Sequence, residues 1–223
     1  MAEPVRVVWV RRDRYHDGLL DLLDDAEWTR VPAYRLDADR QRFVLGAAML
    51  HLELGRATGA DPRGRVVNRT CPTCGRPHGA PRPIAVGWSA SVSHSGDIVV
   101  VALRQGGPVG VDVEEPRDVD EATMALALRP GELAWVRAEP ARRARRFHLL
   151  WTGKEAVLKA LGSGILDLGE VELAASGDGF VVVRLPDRVP GPVRVTHHPT
   201  PGRTACGRHR RGRRGRRRDH RKD

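Results

Sequence analysis

The chain has 223 residues, with 38 Lys and Arg against 28 Asp and Glu and a formal net charge of +10. No apolar run approaches the ~20 residues that span a bilayer. The opening MAEPVRVVWVRRDR carries an acid at Glu3 and no small-residue cleavage site, so it is not read as a secretory signal. Three cysteines, an odd number, argue against a disulfide framework and for a cytoplasmic protein.

The charge is unevenly spread. Eleven Lys and Arg and two Asp lie between Arg203 and Asp223, which leaves 27 basic and 26 acidic side chains in the first 202 residues. The body is therefore near neutral, and the basicity belongs to a tail, GRHRRGRRGRRRDHRKD, that has nothing apolar to bury and is expected to be disordered.

In chain order, VRVVWVRR (5–12) alternates as a first strand, and DGLLDLLDDAEWTRV (17–31) reads as a helix with an acidic start. A longer helix follows, with Phe43, Ala47, Leu50 and Leu54 at helical spacing. Asp37 or Asp39 is its candidate N-cap, and Gly55 or Gly59 its stop. Residues 60–87 are rich in Pro, Gly and Arg and read as loop. From 89 to 116, SASVSHSGDIVVVALRQGGPVGVDVEEP reads as a β-meander: a strand or turn, a strand at 98–103, a Gly-Gly-Pro turn, and an acidic strand. A helix at 119–137 precedes ARRARRFHLLWTGKEAVLKALGSG, the strongest helical signal, with Phe147, Leu150, Trp151, Val157, Leu158 and Leu161 in one stripe. EVELAAS and GFVVVRLP form a hairpin turning at Gly177–Gly179, and PVRVTHH is a possible last strand. Helices and largely antiparallel strands in separate runs define an α+β fold.

Two elements carry unusual polar chemistry. In GVDVEEPR (110–117), Val111 and Val113 alternate with Asp112 and Glu114, placing two carboxylates on one strand face. On the long helix, His148, Glu155 and Lys159 share a face, while Lys154 falls within the apolar stripe. An ammonium there needs a cleft edge or an anion to meet. Taken singly, these features are a solvated strand face and a surface i,i+4 ion pair. Taken together, three carboxylates flanked by two lysines supply the hard oxygen donors with which Mg²⁺ is held, with cations for the phosphates of a metal-bound substrate.

GVDVE and WTGKEAVLK resemble the paired signature of the 4′-phosphopantetheinyl transferases, G-[VI]-D-x-E and W-x-x-K-E-[AS]-x-x-K. SVSHSGDIVVVAL is similar to the family's upstream Ser-His motif, and the three together cover about residues 88–166. The length is similar to the larger, surfactin-type branch. The resemblance implies a monomer of two alike α+β halves related by a pseudo-two-fold, here 1–108 and 109–202, with the site in the cleft between them and 203–223 as tail. It implies transfer of the phosphopantetheine arm of coenzyme A to a serine of an apo acyl or peptidyl carrier protein, with adenosine 3′,5′-bisphosphate released. Carriers of peptide-synthetase, polyketide or fatty-acid type are all compatible. Asp112, Glu114 and Glu155 would ligate Mg²⁺. Glu155 would also take the serine proton, and Lys159 would meet the pyrophosphate. Ser93 and His94 would contact the coenzyme A phosphates, with Lys154 in a supporting role and Trp151 in core packing. The family's usual cation before the Ser-His motif is replaced by Ala80 in CGRPHGAPRP. Arg76 or Arg82 is expected to supply the charge, and Arg30, Arg40 and Arg42 are further candidates.

CPTCGRPH raises a separate question: a C-x-x-C with His78 four residues after Cys74 is half of a zinc site. Structural zinc needs four ligands; the third cysteine is Cys206, and His51 is a candidate fourth ligand. The alternative is a turn-held loop with two reduced thiols. A rival reading of the whole chain joins this motif to the basic tail as a nucleic-acid-binding protein. Against it, the body has no concentrated basic face and only ten aromatic residues for stacking. In the family, a short apolar strand follows a segment like VRVTHH. The Arg-rich replacement reads as an altered terminus, dispensable for activity.

Overall fold

A computed structural model describes residues 4–162, 165–176, 179–185 and 193–198. The tail, Cys206 and most of the expected turn at Gly177–Gly179 lie outside the described residues.

Strand β1 (Arg6–Arg11) is followed by a 3₁₀ turn, and the expected helix over 17–31 is broken. It comprises a 3₁₀ segment Asp17–Leu22, a four-residue helix α1 (Asp25–Trp28) and a 3₁₀ turn Val31–Ala33. Asp24 causes part of the break: its side chain accepts from the Glu27 amide at 2.9 Å and starts a new helix. Helix α2 (Asp37–Thr58) has Leu36 at its N-cap with no side-chain bond, so neither Asp37 nor Asp39 caps it. Asp37 and Asp39 instead pair with Arg40 and Arg42 one turn on. Gly59, at φ +76°, closes the helix.

Residues 60–87 are loop, apart from the short antiparallel pair β2 (Val67–Asn68) and β3 (Arg82–Pro83). Strands β4 (Trp88–Ser95) and β5 (Ile98–Gln105) form a hairpin, and β1 pairs with the far edge of β5, giving the antiparallel order β1-β5-β4. As the middle strand, β5 is covered on both faces, which explains its unbroken apolar run: Val99 to Leu103 are all at most 5% exposed. Ala90, Val92, Val101 and Leu103 pack against Leu50 and Leu54 of α2. Ser91, Ser93 and Ser95 alternate to the opposite face, opposite Ala102, Val100 and Ile98 in register.

The expected helix at 119–137 is two helices, α3 (Glu121–Ala127) and α4 (Pro130–Arg137). Pro130 disfavours helical geometry at Arg129, which takes ψ 163°, and then serves as the first residue of α4. Helix α5 (Arg143–Leu161) ends at Gly162, φ +69°. Strands β6 (Glu172–Ser176), β7 (Gly179–Arg184) and β8 (Arg194–Val195) form a second antiparallel sheet. Phe147, Leu150, Val157 and Leu158 of α5 pack with Leu173, Phe180 and Val195 of that sheet and with Met124 and Val136 of α3 and α4. Trp151 lies beside this core, stacked on Phe147 with ring centroids 5.9 Å apart. Fully burying an aliphatic or aromatic side chain of this size stabilises by about 1.5–3 kcal/mol, so each sheet has its own apolar support.

A buried polar network ties the loop to the first half. Glu27 accepts from Arg69 at 2.6 Å, and His51 Nε2 lies 2.9 Å from its other oxygen. The second contact is an ion pair by distance, but its angle departs from that of a hydrogen bond. His51 Nδ1 is 2.9 Å from the Pro62 carbonyl. Oxygens of Glu27 and Pro62 face both ring nitrogens, an arrangement that favours the protonated ring. Burial alone would lower its pKa; the adjacent Glu27 carboxylate more than offsets that and raises it.

Candidate functional site

The acidic segment is not a ladder strand. Residues 109–116 run extended, with no strand pairing, and serine side chains of β4 do the work of a neighbouring backbone. Ser91 Oγ accepts from the Val111 amide at 3.1 Å, and Ser95 Oγ accepts from the Glu115 amide at 3.1 Å. Ser93 Oγ donates to Asp112 Oδ1 at 2.7 Å, and Ser95 Oγ donates to Glu114 Oε2 at 2.8 Å. Ser93 and Ser95, two residues apart on β4, take Asp112 and Glu114, two residues apart on the segment, so the period of β4 matches the period of the acids.

Gly110 puts this segment against α5. A Cβ at that position would stand 1.9 Å from the Ala156 carbonyl oxygen and 2.6 Å from the Ala160 amide nitrogen. Only a residue without a side chain allows such an approach. The result brings Asp112 to Lys159, whose Nζ donates to Asp112 Oδ1 at 2.6 Å, to Ser93 Oγ at 3.1 Å and to the Val111 carbonyl at 3.3 Å. Farther along, His148 Nε2 accepts from the Arg117 amide at 3.0 Å and fixes the segment's exit.

Glu155, one turn before Lys159 on the same face, completes the cluster. Burial, then the Asp112 carboxylate, push its pKa above the ordinary value; Lys159 opposes and Glu114 adds to the rise. Asp112 Oδ2 and Glu155 Oε1 are both buried without a hydrogen-bond partner. Buried carboxylate oxygens left unpaired are costly. A hard divalent cation, which takes oxygen ligands, fits this donor set. In the present arrangement the oxygens of Asp112, Glu114 and Glu155 do not all lie within 4.8 Å of one another, so ligation by all three requires side-chain adjustment.

Ser93 and His94 point to opposite faces of β4. Ser93 serves the acidic segment, whereas exposed His94 sits near Arg42 of α2. Partial burial, the Arg42 charge and, more weakly, Lys159 lower the His94 pKa and favour the neutral ring. Arg42 donates to the Gly96 carbonyl at 2.7 Å and pairs with Asp39, which holds the β4–β5 turn over the start of α2. Arg30 lies over the Phe43 ring, 4.5 Å from its centroid, and Arg40 pairs with Asp37.

Lys154 corrects the sequence expectation of a coenzyme contact. It is 0% exposed, and its Nζ donates to Glu132 at 2.8 Å and to the Ala127 carbonyl at 2.9 Å. The anion that the apolar stripe demanded is Glu132, whose carboxylate also accepts from the amides of Arg129 and Leu173. Burial pushes the Lys154 pKa down while Glu132 opposes it. Lys154 and Glu155 are adjacent in sequence but point into different environments, one structural and one facing the acids.

Arg82 donates to the Thr70 carbonyl at 2.8 Å, and Arg76 lies beside Cys74 on the same loop. Among the described residues, neither makes a hydrogen bond or ion pair to Asp112, Glu114, Glu155 or Lys159. The sequence reading missed Ser91, Ser95, Gly110 and Glu132. A usable signal was present for the serines: four of them at alternate positions in SASVSHS, on a strand with an apolar opposite face.

Comparison with known proteins matches residues 108–207 to the 4′-phosphopantetheinyl transferase superfamily. The chain is 30% identical over 181 residues to the 4′-phosphopantetheinyl transferase HetI of Nostoc sp., covering 78% of this chain and 75% of the relative. It is 32% identical over 171 residues to a phosphopantetheinyl transferase of Thraustochytrium sp., covering 70% of this chain but only 58% of that protein. A Bacillus pumilus 4′-phosphopantetheinyl transferase, psf-1, is 40% identical over 100 residues, 44% of this chain and 42% of its own. The chain belongs to the 4′-phosphopantetheinyl transferase superfamily. That membership favours the transferase reading over the nucleic-acid-binding one.

Proposed function

We propose that the chain transfers the 4′-phosphopantetheine arm of coenzyme A to a serine hydroxyl of an apo acyl or peptidyl carrier protein. The observation that carries this reading is the pair of buried, partnerless oxygens on Asp112 and Glu155, beside Lys159 and fixed by the serines of β4. Family membership supplies the reaction class. Asp112, Glu114 and Glu155 would hold Mg²⁺, which would supply positive charge to the pyrophosphate. Glu155, on the same face as Lys159 and beside Asp112, accepts the carrier serine proton. The serine oxygen bonds to the β-phosphorus as the bond from that phosphorus to the bridging oxygen breaks, and adenosine 3′,5′-bisphosphate leaves. Lys159 stabilises the charge on the departing phosphate, exchanging its contact with Asp112 for the substrate. Ser93 holds Asp112 and thereby acts as a positioning residue. His94 with Arg42, and Arg76 or Arg82 on the loop, provide the donors for the remaining phosphates of coenzyme A.

The architecture supports assignment to the surfactin-type branch, and we propose that the chain acts as a cytoplasmic monomer. Two three-stranded antiparallel sheets each have their own apolar support, and the acidic segment 109–116 is bonded to serines of β4 and lies against α5. No helix among the described residues is long and apolar enough to cross a membrane. The test is transfer of labelled coenzyme A to an apo carrier protein, with and without Mg²⁺, by wild type and Glu155→Gln. Metal-dependent labelling lost in the variant is expected. Labelling that survives both metal removal and Glu155→Gln refutes the reading.

A further inference from the structure

The loop between β2 and β3 has no apolar anchor. None of residues 69–81 belongs to a hydrophobic core cluster, yet the chain folds back on itself there through backbone hydrogen bonds. The Cys71 amide donates to the Arg76 carbonyl at 2.8 Å, the Gly75 amide to the Cys71 carbonyl at 2.9 Å, and the Gly79 amide to the Arg69 carbonyl at 2.7 Å. Gly75 is at φ +71°, a left-handed geometry that suits glycine. At Gly79 a Cβ would stand 3.0–3.1 Å from the backbone of Arg69 and Cys71, so the return crossing is also tight. Fixing the backbone of one residue costs about 1–2 kcal/mol, and this loop has little buried surface with which to offset that cost.

The same turns bring three donors together. One ligand atom each from Cys71, Cys74 and His78 lies within 4.8 Å of the others, and Cys74 Sγ is 2.9 Å from His78 Nε2. Tetrahedral zinc, with bonds of about 2.3 Å to sulfur and 2.0 Å to nitrogen, places its ligands roughly 3.5–3.8 Å apart. The three donors therefore reach this geometry by sub-ångström adjustments at Cys74–His78 and modest closure elsewhere. A disulfide would engage the two thiols and leave the imidazole unexplained; both cysteines are free. His51, the fourth ligand expected from sequence, is committed to Glu27 and Pro62 and is excluded. Among the described residues no fourth His, Cys, Asp or Glu joins the cluster, and Cys74 and His78 face solvent.

We propose that Cys71, Cys74 and His78 bind a zinc-class divalent cation, with three protein ligands and a solvent-facing fourth position occupied by water. Two thiolates and an imidazole select a borderline-soft metal over Mg²⁺ or Ca²⁺. Binding releases the two thiol protons to solvent, so two thiolates balance the dication. The metal cross-links the two arms of the loop and stiffens the segment that carries Arg76 and Arg82.

The experiment uses the full chain, reduced and stripped with a chelator, then titrated with Co²⁺ and followed by absorption. One equivalent should give the intense visible bands of tetrahedral cobalt and a near-ultraviolet thiolate-to-cobalt band, and Zn²⁺ should displace both. Cys74→Ser and His78→Ala should each weaken binding by more than the roughly 10–100-fold that loss of an outer-shell partner costs, and Cys74→Ser should also diminish the thiolate band, with far-ultraviolet circular dichroism unchanged. Absence of a thiolate band in the reduced wild type overturns the proposal. So does a band that persists in Cys71→Ser and Cys74→Ser. Loss of the band in Cys206→Ser overturns the three-ligand site by adding a fourth protein ligand.

Discussion

Replacing Gly110 with alanine tests how the site is assembled. The new Cβ would lie 1.9 Å from the Ala156 carbonyl oxygen, about 1.4 Å short of an ordinary C···O contact. The Ala160 amide nitrogen, at 2.6 Å, blocks the same space. Both obstacles are helix backbone and cannot rotate away as a side chain would. The segment must withdraw from α5 by more than 1 Å, and the 2.6 Å Lys159–Asp112 and 2.7 Å Ser93–Asp112 contacts cannot both survive that movement. Overpacking of this kind costs about 1–3 kcal/mol, and a 1 Å displacement of a reacting group costs about 100-fold in rate. Urea denaturation and carrier labelling at saturating Mg²⁺ should show both losses. Gly169→Ala is the control, since a Cβ there meets nothing within 4 Å. If Gly110→Ala matches Gly169→Ala in midpoint and turnover, the close approach does not organise the site.

Three further outcomes follow from the same geometry. Ser95→Ala removes the hydroxyl that holds both Glu114 and the Glu115 amide, and should raise the Mg²⁺ concentration for half-maximal labelling by about 10–100-fold; an unchanged metal dependence counts against Glu114 as a ligand. Lys154→Met leaves Glu132 buried without its counter-charge and should cost about 3–5 kcal/mol in urea unfolding, whereas Lys154→Met with Glu132→Gln recovers most of it. A stable Lys154→Met protein with weakened coenzyme A binding would reverse the structural assignment. The His51–Glu27 pair makes stability depend on pH in two directions. His51, raised above 6.5, contributes fully below that value and loses its contribution as pH rises through the folded pKa. Glu27 is lowered below 4.5: burial alone would raise it, but His51 and Arg69 prevail. Its contribution is full above 4.5 and lost as pH falls through the folded pKa. The stability gap between wild type and Glu27→Gln should therefore be widest between 4.5 and 6.5 and narrow at alkaline pH; a gap independent of pH shows that the pair is not charged.

The amino-acid sequence by itself determined the α+β class, the long helices α2 and α5 with their glycine stops, the β4–β5 hairpin, and the family signatures that nominate Asp112, Glu114, Glu155 and Lys159. These are local signals: apolar periodicity, turn residues and short motifs act over a few neighbours. It also showed that a lysine in the apolar stripe of α5 must find an anion. The identity of that anion, Glu132, twenty-two positions away, was decided by how α4 packs on α5. Alternation of valine and acid in GVDVE is what a strand would show, yet the segment is held by serine hydroxyls and by Lys159 of α5, because side-chain periodicity reports extended geometry and not the partner that satisfies it. Ser93 and His94 are neighbours in sequence, and only the sheet, by giving its two faces to different elements, separated the residue that orients Asp112 from the one that meets Arg42.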